Sequence, residues 1–260
     1  MDYKFIDVVR DGHVFVVTFD RPESYNALHG PAHRELSHAF DALESDQDLW
    51  AGIVTGRGDK AFCSGNDLKA TAKGEDLSTP SSGFAGLCSR FDREKPLIAA
   101  VNGIAMGGGM EIALSCDIIV AASNAKFALP EVKVGLFAGA GGVQRLSRNI
   151  GRKKAMELIL TGDTMTAQQA LDFGIINQVS EHEGAGVMED AHAFAQRLLK
   201  ASPTSIRASK RLLNELDALE GLPTSMGSVG QHFGRILQTN DSKEGVKAFV
   251  EKRAPKWTNS

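Results

Sequence analysis

The order of strand-like and helix-like runs constrains the fold of this chain more than any other feature. Short β-rich runs alternate with helical runs over roughly the first two thirds of the 260 residues, and helical patterns alone remain from Glu183 onward. Such alternation is typical of α/β proteins, in which crossover helices join the strands. We therefore predict an α/β core followed by a helical region, and we find no sequence repeat at a fixed period.

Apolar periodicity locates the individual elements. Strands are expected at residues 6–9, 14–19, 51–55, 97–101, 117–121, 126–128 and 175–179. Helices are expected at residues 31–44, 87–93, 111–115, 141–149, 153–160 and 167–173, and through most of the chain after residue 183. Asp-Gly between the first two strands is typical of a hairpin. The stretch 71–86, rich in Gly, Ser and Thr, is expected to be a mobile surface segment.

Composition excludes several classes of protein. The net charge is −3, so the chain has no bulk electrostatic attraction for nucleic acid or anionic membranes. The first 20 residues lack the apolar core of a signal peptide, and no apolar run is long enough to span a membrane. We expect a cytoplasmic protein with no nucleic acid or membrane among its partners.

Cysteine and histidine usage argues against a metal site. The 3 cysteines form no CxxC pair, which disfavours a disulfide framework or a cysteine zinc site and favours a reducing compartment. His29, His33 and His38 lie on or near one amphipathic helix, where surface positions are the favoured interpretation. No HExxH spacing is present, and neither Ser64 nor Ser115 lies in the GxSxG context of a hydrolase.

Residues 107–109 are three consecutive glycines between a predicted buried strand and a predicted helix. A phosphate loop is a weak interpretation, because neither GK[ST] nor GxGxxG spacing is present. A tight strand-to-helix turn would also explain them. A third interpretation is an oxyanion site, because N–H groups at a helix N-terminus lack intrahelical acceptors and glycine lets a ligand oxygen approach them. The residues alone leave these alternatives open.

A second loop resembles the first in its layout. The sequence FCSGND at residues 62–67 also places a glycine just before a predicted helix start. This loop could supply the second N–H donor that oxyanion sites usually have. Asp67 is better explained as the N-cap of the following helix than as a reacting group.

Glu111 and Glu131 are the candidate acids. Taken singly, Glu111 is explained by the helix dipole in a first turn, and Glu131 by a solvated loop position. Two acids that converge on one pocket would instead share a water and perform acid–base chemistry. Because they lie 20 positions apart in the sequence, spacing does not decide whether they converge.

Six stretches in order resemble the enoyl-CoA hydratase/isomerase (crotonase) superfamily over nearly the whole chain. They are DRPESYNAL, AFCSGNDL, NGIAMGGGMEIALSCDIIVAA, FALPEVKVGLFAGAGGVQRLSRNIG, LTGDTMTAQQALDFGIIN and EGVKAFVEKRAPKW. The resemblance implies a crotonase-like spiral of ββα units at residues 1–200 and a C-terminal helical trimerisation region at residues 201–260. It also implies an acyl-CoA substrate, no metal or other cofactor, and a homotrimer or a hexamer built from two trimers.

The resemblance also assigns roles to residues. The backbone N–H groups of Asn66 and Gly108 match the oxyanion donors, while Glu111 and Glu131 match the two acids of enoyl-CoA hydratases. Which glutamate is the acid and which the base stays open. Contacts to substrate or CoA are implied at Ser64, Asp67, Leu68, Lys69, Gly107, Gly139, Phe249 and Lys252. A solvated lysine explains Lys69 nearly as well, and Phe249 and Lys252 would reach the CoA site of a neighbouring subunit.

Hydration of a trans-2-enoyl-CoA is the expected reaction, because both acids are present and Gly139 matches the glycine usual in hydratases. Other features differ from that pattern. The sequence GND at residues 65–67 resembles some enoyl-CoA isomerases, FALPE and FVEKRAPKW resemble carnitinyl-CoA dehydratases, and residues 71–86 match nothing interpretable. Carnitinyl-CoA dehydratases tend, however, to carry aspartate at position 139.

Two kinds of alternative therefore accompany the hydratase prediction. One is an enoyl-CoA isomerase or a carnitinyl-CoA-type dehydratase of the same fold. The other is a non-catalytic or RNA-binding module, because a fold does not fix a function. The net charge of −3 and the presence of both acids argue against the second kind.

Overall fold

The computed structural model describes residues 3–219, 221, 226, 230, 234 and 237–256. In this part of the chain the strands form two sheets, one of six strands and one of four, with helices following the strands of both. The predicted α/β class is confirmed.

The larger sheet contains most of the predicted apolar runs. In spatial order its strands are β1 (Ile6–Asp11), β2 (Val14–Phe19), β3 (Ala51–Gly56), β5 (Leu97–Val101), β7 (Ile118–Ala121) and β10 (Gln178–Val179). β1 and β2 form the predicted antiparallel hairpin, and the other neighbours are parallel. Every residue of β3 and β5 is buried, as expected for central parallel strands.

The smaller sheet consists of very short strands, of which only β8 was predicted. In spatial order they are β4 (Ala61–Cys63), β6 (Ile104–Met106), β8 (Lys126–Ala128) and β9 (Met165–Thr166). β4, β6 and β8 are parallel, and β9 is antiparallel to β8. The carboxyl ends of β4, β6 and β8 therefore lie side by side at one edge of this sheet.

The first helix, α1 (Gly30–Ser45), agrees closely with the helix predicted at residues 31–44. Its N-cap is His29, whose side chain accepts the Ala32 N–H, and Pro31 occupies the first turn. Its apolar face is fully buried in the core, as the spacing of Leu36, Phe40 and Leu43 predicts.

The chain moves from the larger sheet to the smaller sheet and then into a helix, and it repeats this order. β3 leads to β4 and α2 (Leu68–Ala72), and β5 leads to β6 and α3 (Gly108–Ser115). β7 leads to β8 and then, through a 3₁₀ turn at Pro130–Val134, to α4 (Gly142–Asn149). This is the predicted spiral of ββα units.

Helices dominate the remainder of the described chain, as predicted. They are α5 (Arg152–Thr161), α6 (Ala167–Asp172), α7 (Val187–Leu199), α8 (Pro203–Leu219) and α9 (Asn240–Glu251). α7 packs against β3 and β5, whereas α9 packs against α2 and the 3₁₀ turn at Pro130–Val134. Among the described helices, none combines the length and the apolar character that crossing a membrane requires.

Two local predictions are wrong. Residues 87–93 form turns rather than a helix, and the preceding Ala85 and Gly86 have left-handed φ angles of 55° and 62° that interrupt helical geometry. The last strand has two residues rather than five. Ile175 instead closes the end of α6, because its N–H donates to the Ala170 carbonyl oxygen at 2.9 Å.

The stretch 71–86, which we expected to be a mobile surface segment, is tied to α1. Near its middle, the Gly30 N–H donates to the Asp76 carbonyl oxygen at 2.9 Å. Near its end, the Ala85 N–H donates to Nδ1 of His33 at 3.0 Å. The polar composition of the stretch reflects contacts to a helix as well as exposure to solvent.

Two of the three histidines near α1 are buried, contrary to the surface positions that we expected. His33 is 0% exposed and His29 is 8% exposed, whereas His38 is exposed as predicted. Burial lowers the pKa of His33 to about 4, so its ring is neutral at pH 7. The ring packs edge-on against Phe84, with 4.5 Å between the ring centroids. A neutral, buried histidine therefore packs against the Phe84 ring.

Candidate active site

The three parallel strands of the smaller sheet end in the three loops that carry the predicted reacting groups. β4 leads to the 64–67 loop, β6 leads to the glycines at 107–109, and β8 leads to the 3₁₀ turn that contains Glu131. Neighbouring parallel strands end at the same edge of a sheet, which is where α/β proteins usually place their sites. The topology therefore brings together residues that are far apart in sequence.

Two of the three glycines are explained by the local geometry of the turn. Gly107 has φ 54°, in the left-handed region that favours glycine, and a Cβ on it would lie 3.0 Å from Oε1 of Glu131. A Cβ on Gly109 would lie 1.9 Å from the Cys63 carbonyl oxygen. The tight-turn interpretation is thus correct for these two positions. The short distance from a Cβ on Gly107 to Oε1 of Glu131 also shows that Glu131 lies beside this turn.

Gly108, the middle glycine, faces the second loop and an aromatic ring. It is the first residue of α3, so its N–H has no acceptor within the helix. A Cβ on Gly65, which has φ 92°, would lie 3.0 Å from Gly108 N. A Cβ on Gly108 would lie 2.5 Å from Cε1 of Phe84. The backbones of the two glycine loops therefore meet beside an aromatic wall.

The loop that carries Asn66 is fixed by the segment that follows β2. The Leu28 N–H donates to the Gly65 carbonyl oxygen, and the Asp67 N–H donates to the Leu28 carbonyl oxygen, both at 2.8 Å. Leu28 and Asn66 form an isolated parallel bridge. The backbone around Asn66 is consequently held in one place next to Gly108.

Asp67 is the N-cap of α2, as the sequence favoured. Its Oδ1 accepts the N–H groups of Lys69 and Ala70, each at 3.1 Å. Its Oδ2 pairs with Nη2 of Arg21 at 3.0 Å, and the residue is 8% exposed. Both carboxylate oxygens therefore have structural partners, which argues against a direct chemical role.

Glu111 is buried on α3, and the loop before α4 holds its carboxylate. Oε1 accepts the N–H groups of Ala140 at 2.7 Å and Gly142 at 2.8 Å. Burial raises the pKa of Glu111 to about 7, although these two hydrogen bonds and the charge of Arg145 act in the opposite direction. The ionised form of Glu111 is therefore accessible at neutral pH despite its burial.

Glu131 has a different environment. Its Oε2 is buried and has no hydrogen-bond partner among the described residues. Burial raises the pKa of Glu131 to about 8, and the negative charge of Glu111 contributes to the same shift. Glu131 is therefore the member of the pair that holds its proton more readily.

The two carboxyl groups lie close enough together for the charge of Glu111 to raise the pKa of Glu131, a proximity that the sequence alone did not decide. They titrate as a pair, because each negative charge disfavours the other. The two N–H donors on Oε1 of Glu111 favour a charge on Glu111 and a proton on Glu131. An ionised carboxylate beside a neutral carboxylic acid can accept one proton and donate another.

The remaining predicted contact residues lie around this centre or on the surface. Ser64 Oγ donates to the Ser24 carbonyl oxygen at 3.4 Å, Leu68 begins α2, and Gly139 precedes Ala140 in the loop that holds Glu111. The exposed residues of the set are Lys69, Phe249 and Lys252. The predicted contacts of all these residues with substrate or CoA stay predictions.

Helices α2 and α9, which carry Lys69 and Phe249, border a common surface cavity. Its volume is about 470 Å³. The side chains that line it are Ala72, Leu237, Ser242, Lys243, Val246, Lys247, Val250 and Glu251. The cavity is open to solvent and is bordered by two lysines and one glutamate.

Spacing and propensity in the sequence did not identify four residues of the site. They are Phe84, Ala140, Gly142 and Arg145. For Ala140 and Gly142 a signal existed, because the GAGG run at residues 139–142 precedes a predicted helix and so presents N–H groups to an anion. Nothing in the sequence indicated that Phe84 would face Gly108.

Ligand sets for a metal are not found in the described part of the chain, where no group of three or more His, Cys, Asp or Glu side chains lies close enough together. Cys63, Cys88 and Cys116 are free thiols.

The spiral of ββα units and the buried acid pair define an α/β protein of the crotonase type. Comparison with known sequences identifies the family directly. The sequence model described as enoyl-CoA hydratase/isomerase matches residues 10–260, and the chain belongs to this family.

Similar proteins include both dehydratases and hydratases by name. The carnitinyl-CoA dehydratase of Salmonella typhi is 42% identical over 258 residues, which cover 97% of each chain. The crystal structure of carnitinyl-CoA hydratase from Mycobacterium avium has a TM-score of 0.92 and 42% identity, over 98% of this chain and 99% of the other. Enoyl-CoA hydratase from Mycobacterium tuberculosis H37Rv has a TM-score of 0.78 and 37% identity, with the same coverage. All three names describe addition or removal of water on a CoA thioester.

Proposed function

We propose that the chain catalyses the reversible addition of water across the 2,3-double bond of an acyl-CoA thioester. The observation that carries the proposal is the buried pair of Glu111 and Glu131 next to the N–H of Gly108. The hydro-lyase names of the similar proteins support it. The thioester itself activates the double bond, so the proposed reaction uses no metal and no redox cofactor.

The thioester carbonyl oxygen binds between the N–H groups of Asn66 and Gly108. As the water oxygen bonds to Cβ, negative charge moves onto this carbonyl oxygen, and the two N–H groups stabilise the enolate-like transition state. Loss of one such donor typically costs about 10²–10³ in rate. The aromatic ring of Phe84 lies against Gly108 and keeps one side of the carbonyl dry.

The two acids then move the protons. Ionised Glu111 accepts a proton from the attacking water, and neutral Glu131 donates its proton to Cα, which gives the 3-hydroxyacyl thioester. Dehydration is the reverse, in which Glu131 removes the α-proton and Glu111 protonates the departing hydroxyl. Each positioned acid or base contributes about 10²–10⁴ to the rate.

We propose a carnitinyl-CoA-type thioester as the first substrate to test, in place of the simple enoyl-CoA that the sequence favoured. Relatives at 41–42% identity over 97% of the chain are named for carnitinyl-CoA, and the FALPE and FVEKRAPKW sequences agree with this choice. Gly139 is the residue that argues for a simple enoyl chain. In carnitinyl-CoA the 3-hydroxyl that leaves lies next to a trimethylammonium-bearing carbon.

A panel of thioesters decides between these substrates. Purified protein is assayed with carnitinyl-CoA, 3-hydroxybutyryl-CoA and crotonyl-CoA, by the absorbance of the conjugated double bond. The proposal expects carnitinyl-CoA to have the highest kcat/KM. A higher kcat/KM for crotonyl-CoA hydration would restore the hydratase assignment, and no turnover of any thioester would contradict the proposed function altogether.

Isomerisation of a 3-enoyl to a 2-enoyl thioester is the second candidate. One observation favours it, because Glu131 lies beside Gly107 with a buried oxygen that lacks a partner among the described residues, and one such acid suffices to shuttle a proton. A Glu111→Gln variant that keeps isomerisation and loses hydration would support this candidate. Loss of both reactions would exclude it.

We also propose that the chain self-associates through α8, as a homotrimer or a hexamer. Leu212, Leu213 and Leu216 are 63%, 63% and 56% exposed and lie on one side of this helix. Contiguous exposed leucines of this kind usually mark an interface. Light scattering after size-exclusion chromatography should give a mass of three or six chains, which a Leu212→Lys/Leu216→Lys variant should lower. A monomeric wild-type protein would contradict this proposal.

A further inference from the structure

Arg145 lies on α4, three residues after the loop that holds Glu111, and its side chain turns back toward that loop. Nη1 donates to the Ala140 carbonyl oxygen at 3.3 Å, and Nη2 donates to the Cys88 carbonyl oxygen at 2.7 Å. Arginine is always charged and presents donors in a rigid fork, which suits it to hold two carbonyl groups at once. This guanidinium therefore bridges two segments of backbone.

The first segment is the loop that positions the base. Ala140 donates its N–H to Oε1 of Glu111 at 2.7 Å and offers its carbonyl oxygen to Arg145. Gly141 lies between the two N–H donors, has φ 103°, and would place a Cβ 2.2 Å from Nη1 of Arg145. The absence of a side chain at this position is what lets the guanidinium approach the loop. Arg145 thus fixes the peptides on which the orientation of Glu111 depends.

The second segment, residues 84–91, forms the wall beside the oxyanion glycine. It contains Cys88, whose carbonyl oxygen accepts from Arg145, and Phe84, whose ring lies against Gly108. The guanidinium also lies 5.8 Å from the Phe91 ring centroid. One side chain therefore joins the base side of the site to the oxyanion side.

The charge of Arg145 acts on Glu111 as well, since it opposes the rise that burial causes in the pKa of Glu111. The titratable and charged groups that interact electrostatically with Glu111 or with Arg145 are Cys88, Arg93, Glu131 and Asp217. Of these, Glu131 disfavours the ionised form of Glu111, whereas Arg145 itself favours that form.

We propose that Arg145 is a positioning residue, which clamps the 139–142 loop against the 84–91 segment and so holds the Glu111 carboxylate in its reacting orientation. The inference rests on the proposed function for the meaning of that orientation. It does not require Arg145 to touch the substrate. The hydrogen bonds from Arg145 to the carbonyl oxygens of Ala140 and Cys88 do not depend on which thioester is the substrate.

The test compares Arg145→Gln and Arg145→Lys with Arg152→Gln, which removes the same charge from an exposed position on the next helix. Arg145→Gln should lower kcat by about 10–100-fold with KM changed far less, because a reacting group misplaced by 1 Å costs on this order. The acidic limb of its kcat/KM profile should move to higher pH. Arg145→Lys should keep that limb near the wild-type pH while kcat falls. Arg152→Gln should match wild type.

A second readout does not depend on turnover. Carbon-13 NMR of glutamate carboxyl groups, with Glu111→Gln to assign the signal, should show Glu111 titrating at higher pH in Arg145→Gln than in wild type. An unchanged NMR titration together with an unchanged acidic limb would overturn the proposal, even if Arg145→Gln had lower stability or kcat. If Arg145→Gln does not fold, wild-type kcat in Arg145→Lys would overturn it. If the wild-type protein turned over no thioester, the proposed function would be contradicted. The NMR comparison would then test the role of Arg145 by itself.

Discussion

The protein holds the two carboxyl groups of the acid pair, Glu111 and Glu131, in different ways. Glu111 lies on a core helix, and two backbone N–H groups bind its Oε1. Glu131 lies on a 3₁₀ turn, and its buried Oε2 has no partner among the described residues. Burial raises the pKa of both groups, but Glu111 has two N–H donors from another loop that oppose the rise, whereas Glu131 has only its own backbone N–H, and the charge of Glu111 adds to its rise. Two carboxyl groups that are both shielded from solvent can therefore serve as a base and an acid, because their hydrogen-bond donors differ.

The neighbours of the two sides differ as well. The Glu111 side is closed by α4 and by Arg145, which belong to the spiral core. The turn that carries Glu131 packs against α9, since a Cβ on Gly245 would lie 2.3 Å from the Val134 carbonyl oxygen. The acid is thus supported by the C-terminal helical region. Changes in that region should affect Glu131 before they affect Glu111.

Removing either carboxyl group should have the largest effect. Glu111→Gln and Glu131→Gln should each lower kcat for hydration or dehydration by about 10²–10⁴, because each loses one proton transfer. Turnover is followed by absorbance of the conjugated thioester, with circular dichroism as the control for folding. Near wild-type turnover in either variant would show that the pair does not work as a pair.

Gly108→Val should have the next largest effect. The new side chain would begin 2.5 Å from the Phe84 ring and stand beside the N–H that receives the carbonyl oxygen. A loss of about 10²–10³ in kcat is expected from an impaired oxyanion donor. The melting temperature serves as the control, because Phe84 is partly exposed and can move. Retained activity would remove Gly108 from the mechanism.

The pH dependence of kcat/KM should distinguish the role of Glu111 from that of Glu131. Activity should rise as pH increases through the lower pKa of the pair, near 7, because Glu111 must lose its proton. It should fall above the higher pKa, near 8, because Glu131 must keep its proton. A bell-shaped profile is therefore expected, with limbs that belong to the coupled pair. A flat profile between pH 6 and about 9 would contradict the assignment.

Stability should show the smallest effect. The pKa of Glu131 is higher in the folded than in the unfolded chain, so the folded state binds more protons and stability falls as pH rises from about 4.5 to about 8. Glu131→Gln removes this loss. Its melting temperature should exceed that of wild type at pH 8 by about 2–4 °C per kcal/mol recovered, and the difference should shrink toward pH 4.5. An equal difference at both pH values would indicate another cause.

Long, regular elements were predictable from the sequence, whereas most of the short strands, with the exception of β8, were not. α1, β2 and β3 were predicted nearly to the residue, because their apolar spacing is unambiguous over six or more residues. β4 and β6 have three residues each and β9 has two, which is too short for a period to emerge. These missed strands include two of the three that place the site loops.

The candidate site was predictable in its parts but not in its assembly. Propensity and helix-end physics indicated the roles of Gly107 and Asp67, and resemblance to a family paired Glu111 with Glu131. The convergence of two acids 20 positions apart follows from β6 and β8 being neighbours, which no local pattern encodes. Arg145 was missed because its partners are backbone carbonyl groups. Every residue has such a group, so the sequence does not indicate which of them an arginine will contact.

Exchange of α-protons with solvent tests the division between the two glutamates most directly. In D₂O, a saturated acyl-CoA should exchange its α-protons when Glu131 removes one and returns a deuteron, a cycle in which Glu111 has no part. Proton NMR should show exchange that survives Glu111→Gln and falls by about 10²–10⁴ in Glu131→Gln. Exchange that is lost in Glu111→Gln and retained in Glu131→Gln would contradict the account.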